Sequence, residues 1–312
     1  MPSANEVHRN RPLENVSVAY RPEGMIASML SPTVPVKRES DTYYVYQKDN
    51  FRIEGLERAD GAPAVEVSFG VTTATYNLTE YAAKDLVTER ARNNADPAIR
   101  LDIDTAENLT DKILLRKEQL LATQVGTAAN WGNTTSLTST FAWSANTTLS
   151  NPISFIDSAT TVIARQSGKK ANTVALDEAS FKAAKEHVSV VDRVKYTSAD
   201  SVTESVLGNL FGVGPVLRAS VSYANSQEGV FTETSMTFLW TDAAFVAYIE
   251  RSPGLKKPSA LYTFMQDGST APFKVRKWFD DERKGDQIEV SAMFQHRPVA
   301  SDCAYLIVNT VQ

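Results

Sequence analysis

Cysteine is all but missing from this sequence, where Cys303 stands alone among 312 residues. A single thiol forms no intrachain disulfide, and neither a CxxC zinc site nor a redox pair can be built from it, so a reducing compartment suits the chain. Histidine is nearly as scarce, with only His8, His187 and His296. None has a ligating partner at helical spacing and HExxH is absent, so no metal site is expected. No apolar run approaches the length of a bilayer span, the most apolar stretches, such as residues 243–249, being far shorter. The N-terminal residues carry no apolar signal segment, which predicts a chain that stays where it is made and contacts no membrane. The net charge of −5 argues against a broad basic face for nucleic acid, because such binding rests on Lys and Arg neutralising phosphates. Weak contact on one surface remains compatible with it.

Catalytic signatures are missing as well. There is no GxSxG elbow. The stretch GVGPVLRA, from Gly212, begins like a dinucleotide loop but has Leu217 in place of the third glycine and leads into a strand, which leaves no helix N-terminus to hold an anion. Asp280, Asp281 and Glu282 form a carboxylate cluster of the kind that binds cations or moves protons. They sit in an expected hairpin turn beside Arg283 and Lys284, where solvated turn charges are the simpler reading. No catalytic residue, cofactor site or metal ligand is assigned, and no enzyme activity is expected.

What the sequence does contain is a long strand, turn and strand pattern. Val65, Val67, Phe69 and Val71 alternate with Glu66, Ser68 and Gly70, and Tyr43 to Tyr46 also favour extended chain. Asp60-Gly61-Ala62-Pro63 punctuates the middle. A hairpin over residues 42–79 would have legs of roughly 60 Å at ~3.3 Å per residue, against a radius of gyration of about 20 Å for a globule of this length. An isolated ribbon is marginal in water, so its apolar face is expected to find cover on another copy of the chain.

Around it, residues 1–41, with Pro2, Pro12, Pro22, Pro32 and Pro35, suit an extended arm. Residues 105–125 predict the longest helix, with Leu109, Ile113 and Leu120 near one face and Asp111, Lys112, Arg116, Lys117 and Glu118 on much of the rest. Pro152 opens a helix closed by Gly168. A strand over 173–176, a helix started by Asp177, a helix in TESVLGNLFG and a strand in GPVLRASVSY follow. Residues 273–279 and 287–296 alternate about a turn, and residues 304–312 supply a last strand. Three C-terminal strands need a covering helix, and 105–125 is the unclaimed one, so the helix and strand alternation of 152–250 reads as a domain inserted in a discontinuous one.

This order resembles the major capsid proteins of tailed double-stranded DNA bacteriophages, with their HK97 fold. The local signature is ISFIDSATTVIARQSGKKANTVALDEASFKAAKEHVSVVDRVKY, Ile153 to Tyr196. The resemblance implies an α+β, HK97-like capsid fold. It assigns 1–41 to an N-terminal arm, 42–79 to an extended loop, 80–151 to the first part of a peripheral domain with its spine helix, 152–272 to an axial domain and 273–312 to the rest of the peripheral domain. It implies a structural protein that assembles into hexamers and pentamers of an icosahedral head. Its partners would be a portal protein at one vertex, separate scaffolding and decoration proteins where used, and packaged DNA held by weak non-specific contact. Assembly in the host bacterial cytoplasm and residence in the virion follow.

Phe51, Ile53, Val65, Val67 and Phe69 in the loop, with Asp192, Arg193 and Lys195, are then candidates for contact between subunits, and Arg9 and Arg11 for facing DNA. Some relatives cross-link a loop lysine to an asparagine of the next subunit; Lys48 and Asn309 are suitably located but lie in no matching motif, so no such residue is carried over. The rival readings are an encapsulin-like compartment of the same fold and, from another class, an intracellular enzyme working at Asp280 to Glu282.

Overall fold

The computed structural model describes residues 23–46, 51–68, 70–95, 100–195, 201–214, 216–226, 236–254, 257–266 and 273–312. A single helical turn, α1 (Ala27–Leu30), leads into β1 (Thr33–Val36) and the hairpin strands β2 (Ser40–Tyr46) and β3 (Val71–Asn77). β4 (Thr79–Thr88) and the short α2 (Glu89–Asn94) precede the longest helix, α3 (Leu101–Gly126). Next come β5 (Thr134–Ser136), α4 (Pro152–Ser167), β6 (Thr173–Asp177), α5 (Glu178–Glu186), α6 (Val188–Val194) and α7 (Glu204–Leu210). Strands β7 (Val216–Ala219), β8 (Ser222–Ala224), β9 (Met236–Phe238), β10 (Ala243–Ala247), β11 (Leu261–Gln266), β12 (Lys274–Asp280), β13 (Gly285–Pro298) and β14 (Ala304–Val308) follow.

β13 organises the first sheet. Ile288, Val290, Ala292 and Phe294 fall at alternate positions, so they share one face and pack against Leu109 and Ile113 of α3. β4 runs antiparallel along one side of β13, from Gly285↔Thr88 to Phe294↔Thr79. Gly285 is required there, because a Cβ would stand 2.7 Å from the Val87 carbonyl oxygen. The other side is divided between β12, paired from Asp280↔Gly285 to Lys274↔Ser291, and β11, paired from Met265↔Phe294 to Leu261↔Pro298. β1 lies parallel outside β11.

The second sheet has the order β5-β14-β10-β6-β7. Val174, Leu176, Ala244, Val246 and Ile307 face Ile153, Ile156 and Ile163 of α4. The opposite face, with Ala175, Phe245, Ala247, Ala304 and Leu306, packs on Leu121 and Val125 of α3 and on Ile26 and Leu30 of the arm. Helix α3 thus covers the first sheet with one half and the second with the other. Local chemistry sets the helix ends: Asn151 Oδ1 accepts from Ile153 N at 3.0 Å with Pro152 beside it, and Gly168 takes a left-handed φ of 66° at the C-cap.

Several elements depart from the sequence reading. The strand expected over 65–71 begins only at Val71, where the ladder from Ser40↔Asn77 to Tyr46↔Val71 ends. The facing leg, with Gly55 between Glu54 and Leu56, breaks the alternation that a partner strand needs. β14, expected beside the C-terminal strands, lies inside the second sheet instead, while β11, expected in the inserted domain, lies in the first. β14 is apolar on both faces, the pattern of a doubly covered strand. β4 forms in what reads as a polar stretch, because only alternate residues of it turn inward. α3 starts a turn earlier than expected, with Asp102 and Asp104 at the positive end of its dipole. Lys117 and Glu118, expected on its charged side, are buried.

Those two residues lie on a polar seam that holds the arm. Glu118 Oε2 accepts from Ala27 N at 2.8 Å, and Oε1 accepts from Ile26 N at 3.2 Å and Trp240 Nε1 at 2.9 Å. Burial pushes its pKa up, against the pull of these hydrogen bonds. Burial likewise pushes the Lys117 ammonium down; it lies 5.9 Å over the Phe294 ring. The Lys117 carbonyl accepts from His296 Nε2 at 3.1 Å, which leaves Nδ1 as an acceptor 2.9 Å from Thr263 Oγ1; Ser31 O lies 3.1 Å from the same hydroxyl, whose single proton is shared between the two acceptors.

Burial, reinforced by the Lys117 charge, pushes the His296 pKa down from 6.5 to about 4. The unfolded chain therefore binds this proton first as pH falls, so stability contributed here is complete above about 6.5 and is lost between there and about 4. Urea titrations of the unassembled subunit from pH 7 to 4 should show roughly 3 kcal/mol of this loss, and His296→Gln should remove that component. Parallel pH profiles for the two proteins would show that the imidazole is not the group responsible.

Candidate functional site

The hairpin is anchored at its base and bare beyond it. Tyr76 stacks on Phe264 at 4.7 Å between ring centroids and Tyr43 tilts against the same ring at 5.3 Å. Asn77 N donates to Gln295 Oε1 at 2.9 Å, and Arg297 Nη2 donates to Thr75 O at 3.0 Å. Past the last ladder pair, residues 51–68 form no strand, and the chain turns at Asp60-Gly61, with Ala62 N donating to Ala59 O at 3.1 Å and Gly61 at a φ of 77°. Ile53 is 97% exposed, Phe51 and Leu56 are each 68% exposed and Val67 59%, with Val65 also on the surface. Phe51 has one ring edge against Gly168, where a Cβ would come within 3.0 Å of it. Covering each of these large side chains is worth about 1.5–3 kcal/mol, and the subunit leaves that undone. Phe69, Lys48, Arg9 and Arg11 lie outside the described residues.

The second set of candidates sits on α6 and at its C-cap. Asp192 and Lys195, one helical turn apart, pair at 2.7 Å, and Arg193 is exposed beside them. An exposed pair of this kind contributes little to stability. The sequence reading missed the apolar part of this surface: Val188 and Val191 are exposed on the same helix, and Leu149 is exposed on the segment beside it. That segment is held by Asn146 Oδ1, which accepts from Val188 N at 2.8 Å, and by Ser150 Oγ, 3.0 Å from His187 Nε2. The available signal was Val188, Val190, Val191 and Val194, a helix apolar on more than the one face that a fold needs.

Two clusters test the enzyme alternative. His187 lies between Ser150 and Ser189 Oγ, the latter 2.8 Å from Nδ1, which superficially suggests a nucleophile and its base. Ser150 is fully buried and its hydroxyl donates to Thr147 O at 3.0 Å, so it is a turn lock with no approach for a substrate. Asp280 Oδ1 accepts from Glu282 N at 3.1 Å and Arg283 N at 3.2 Å, which uses the carboxylate to close the β12–β13 turn. Among the described residues no His, Cys, Asp and Glu group of three could hold a metal ion, and no described helix is long and apolar enough to cross a membrane. Asn309 has a left-handed φ of 58° and donates to Ser136 Oγ at 2.8 Å.

A closed ring of charges braces the far end of the first sheet. Arg92 Nη2 meets Asp102 at 2.8 Å and Asp286 at 2.6 Å, while Lys277 Nζ meets Asp102 at 2.7 Å and Asp286 at 3.1 Å. These bonds hold both carboxylates below their usual pKa. Beside the ring, a cleft of about 430 Å³ opens between α3 and β12, with Ile103, Ala106, Val275 and Ile288 in its walls.

No family model matches the chain. It is 22% identical over 310 residues to the major capsid protein of Burkholderia phage BcepMu, covering 95% of this chain and 94% of that protein. Among solved structures, a phage-related protein from Bordetella bronchiseptica RB50 aligns with a TM-score of 0.71 at 23% identity, over 93% of each chain. The capsid of cyanophage P-SCSP1u aligns with a TM-score of 0.66 at 12% identity, over 94% of this chain and 90% of that one. The chain has the HK97-like fold of phage capsid subunits.

If the loop residues are an association surface, Ile53→Asp combined with Leu56→Asp should leave the urea stability of the isolated subunit within about 0.5 kcal/mol of the parent. The same variant should lose self-association in light scattering. A stability loss of several kcal/mol in the subunit would instead make these side chains part of its own core.

Proposed function

We propose that this chain is the major capsid subunit of a tailed double-stranded DNA bacteriophage, a structural protein whose copies close into a shell. The observation that carries the reading is the segment between β2 and β3, whose described apolar residues Ile53, Leu56, Val65 and Val67 are exposed in the subunit, on a chain that shares the capsid fold along nearly its whole length. The first sheet with α3 corresponds to the peripheral domain, the second sheet to the axial domain, and residues 42–79 to the extended loop.

In this reading the loop lies across the neighbouring subunit, with Phe51, Ile53, Val65, Val67 and Phe69 as its contacts. The surface of α6 bearing Asp192, Arg193 and Lys195 meets neighbours within hexamers and pentamers. Obligate interfaces of this kind bury roughly 2,000–5,000 Å² or more, and a shell repeats each contact many times. Expansion around packaged DNA then moves packed units between discrete arrangements. A portal protein takes one vertex, and scaffolding and decoration are supplied by separate proteins where used. The net charge of −5 suits a wall that holds DNA weakly, with Arg9 and Arg11 of the arm turned inward. Assembly takes place in the host bacterial cytoplasm.

Negative-stain electron microscopy of the purified chain, beside a deletion of residues 49–71, tests the proposal. Closed shells from the intact chain, and only free capsomers or subunits from the deletion, are expected. Small uniform particles from both would count against it, and shells enclosing an enzyme and no genome would point to the encapsulin-like alternative.

A further inference from the structure

Two parts of the subunit have the chemistry of paired strands and no partner. Among the described residues β12 pairs with β13 alone, so its outer edge presents an open row of backbone donors and acceptors. Residues 64–68, Ala-Val-Glu-Val-Ser, alternate as a strand does, yet they are exposed and extend no sheet. We infer that residues 64–68 of one copy add as a strand to the open edge of β12 on a second copy, which carries the first sheet across the subunit boundary. This rests on the shell reading and names where and how the loop docks.

Side-chain placement supports the match. On β12, Val275 and Lys277 stand opposite Val290 and Ile288 and so face α3, beside the open cleft, while Arg276 points from the other face. Val65 and Val67 share one face of an extended segment and Glu66 takes the other. With Glu66 beside Arg276, the two valines stand beside Val275 and Lys277 whichever way the added strand runs. They then continue the apolar surface over the cleft, and a carboxylate meets an exposed guanidinium.

Charge selects this partner over the alternatives. β12 carries Lys274, Arg276 and Lys277 against Asp280, whereas residues 51–68 carry Glu54, Glu57, Asp60 and Glu66 against Arg52 and Arg58. Three cations on one edge repel a second β12 and favour an acidic strand. Lys277 is occupied by Asp102 and Asp286, and Lys274 Nζ donates to Gln266 Oε1 at 3.3 Å, so Arg276 is the cation offered outward. Within a single subunit the two segments are set apart: the hairpin leaves from residues 295–297 of β13, while β12 flanks residues 285–291. Pro63 lies outside the added strand, so its missing N–H interrupts no ladder.

The test is a full-length Glu66→Cys/Arg276→Cys chain, assembled under reducing conditions and then oxidised. Facing Cα atoms on adjacent strands lie about 4.5–5.5 Å apart, within disulfide reach, and the native Cys303 is buried. Covalent multimers from shells and none from unassembled subunits are expected, with a Glu66→Cys/Lys84→Cys control unlinked. Shells that stay unlinked, or that link equally in the control, overturn the inference. Should the double variant not assemble, hydrogen exchange on parent shells decides: alternate β12 amides should slow by about tenfold or more relative to the subunit, and unchanged exchange overturns it. A parent chain that forms no shell rejects the shell reading itself, whereas shells lacking the β12 contact reject only this docking mode.

Discussion

The carboxylate of Glu118 is the point at which otherwise separate pieces of chain meet. A buried charge is tolerable only when its oxygens are filled, and here two backbone amides of the arm and the Trp240 indole fill them. The arm needs this as much as the carboxylate does. One turn of helix cannot sustain itself in water, so α1 is ordered by a borrowed cap and by Ile26 and Leu30 in the core. Once α1 is placed, Ser31 is delivered to Thr263, which in turn faces His296, β1 falls into register on β11, and the hairpin leaves the sheet in one direction. The aim of the uncovered loop is thus set deep inside the molecule.

The subunit divides its apolar residues into two uses. In the second sheet and α4 they are fully enclosed and specify one packing. In the loop, on α6 and along β12 they face water, and in the proposed shell their value is realised when other copies supply the missing surface. Folding of the subunit and closure of the shell are consequently separate equilibria, and the stability of one is a poor guide to the other.

Much of this was legible in the residues. Pro152 and Gly168 bracket α4, Asp177 caps α5 by accepting from Ala179 N and Ser180 N, and the alternation of Ile288 to Phe294 marks β13, because each is local chemistry acting on its own neighbours. The loop was legible as an uncovered ribbon, although its ladder is shorter than the alternation of residues 65–71 suggests. That alternation records a fitness for pairing and does not say with what. Glu118 was not legible, since a Lys-Glu pair on a long helix looks the same in sequence whether it meets water or the Trp240 indole. β4 was hidden by its outward polar residues, and the α6 surface by the ordinary appearance of a valine-rich turn.

The central place of β14 has a consequence for synthesis. β14 lies between β5 and β10, and both of these leave the ribosome before it does. Until residues 304–308 emerge, the second sheet has a gap, with β5 alone on one side, β10, β6 and β7 on the other, and the Phe245 and Val246 faces incompletely enclosed. Such late, long-range pairing makes folding slow and exposes intermediates to aggregation. A chain cut short before residue 304 lacks the strand that closes this sheet and leaves the edges of β5 and β10 open.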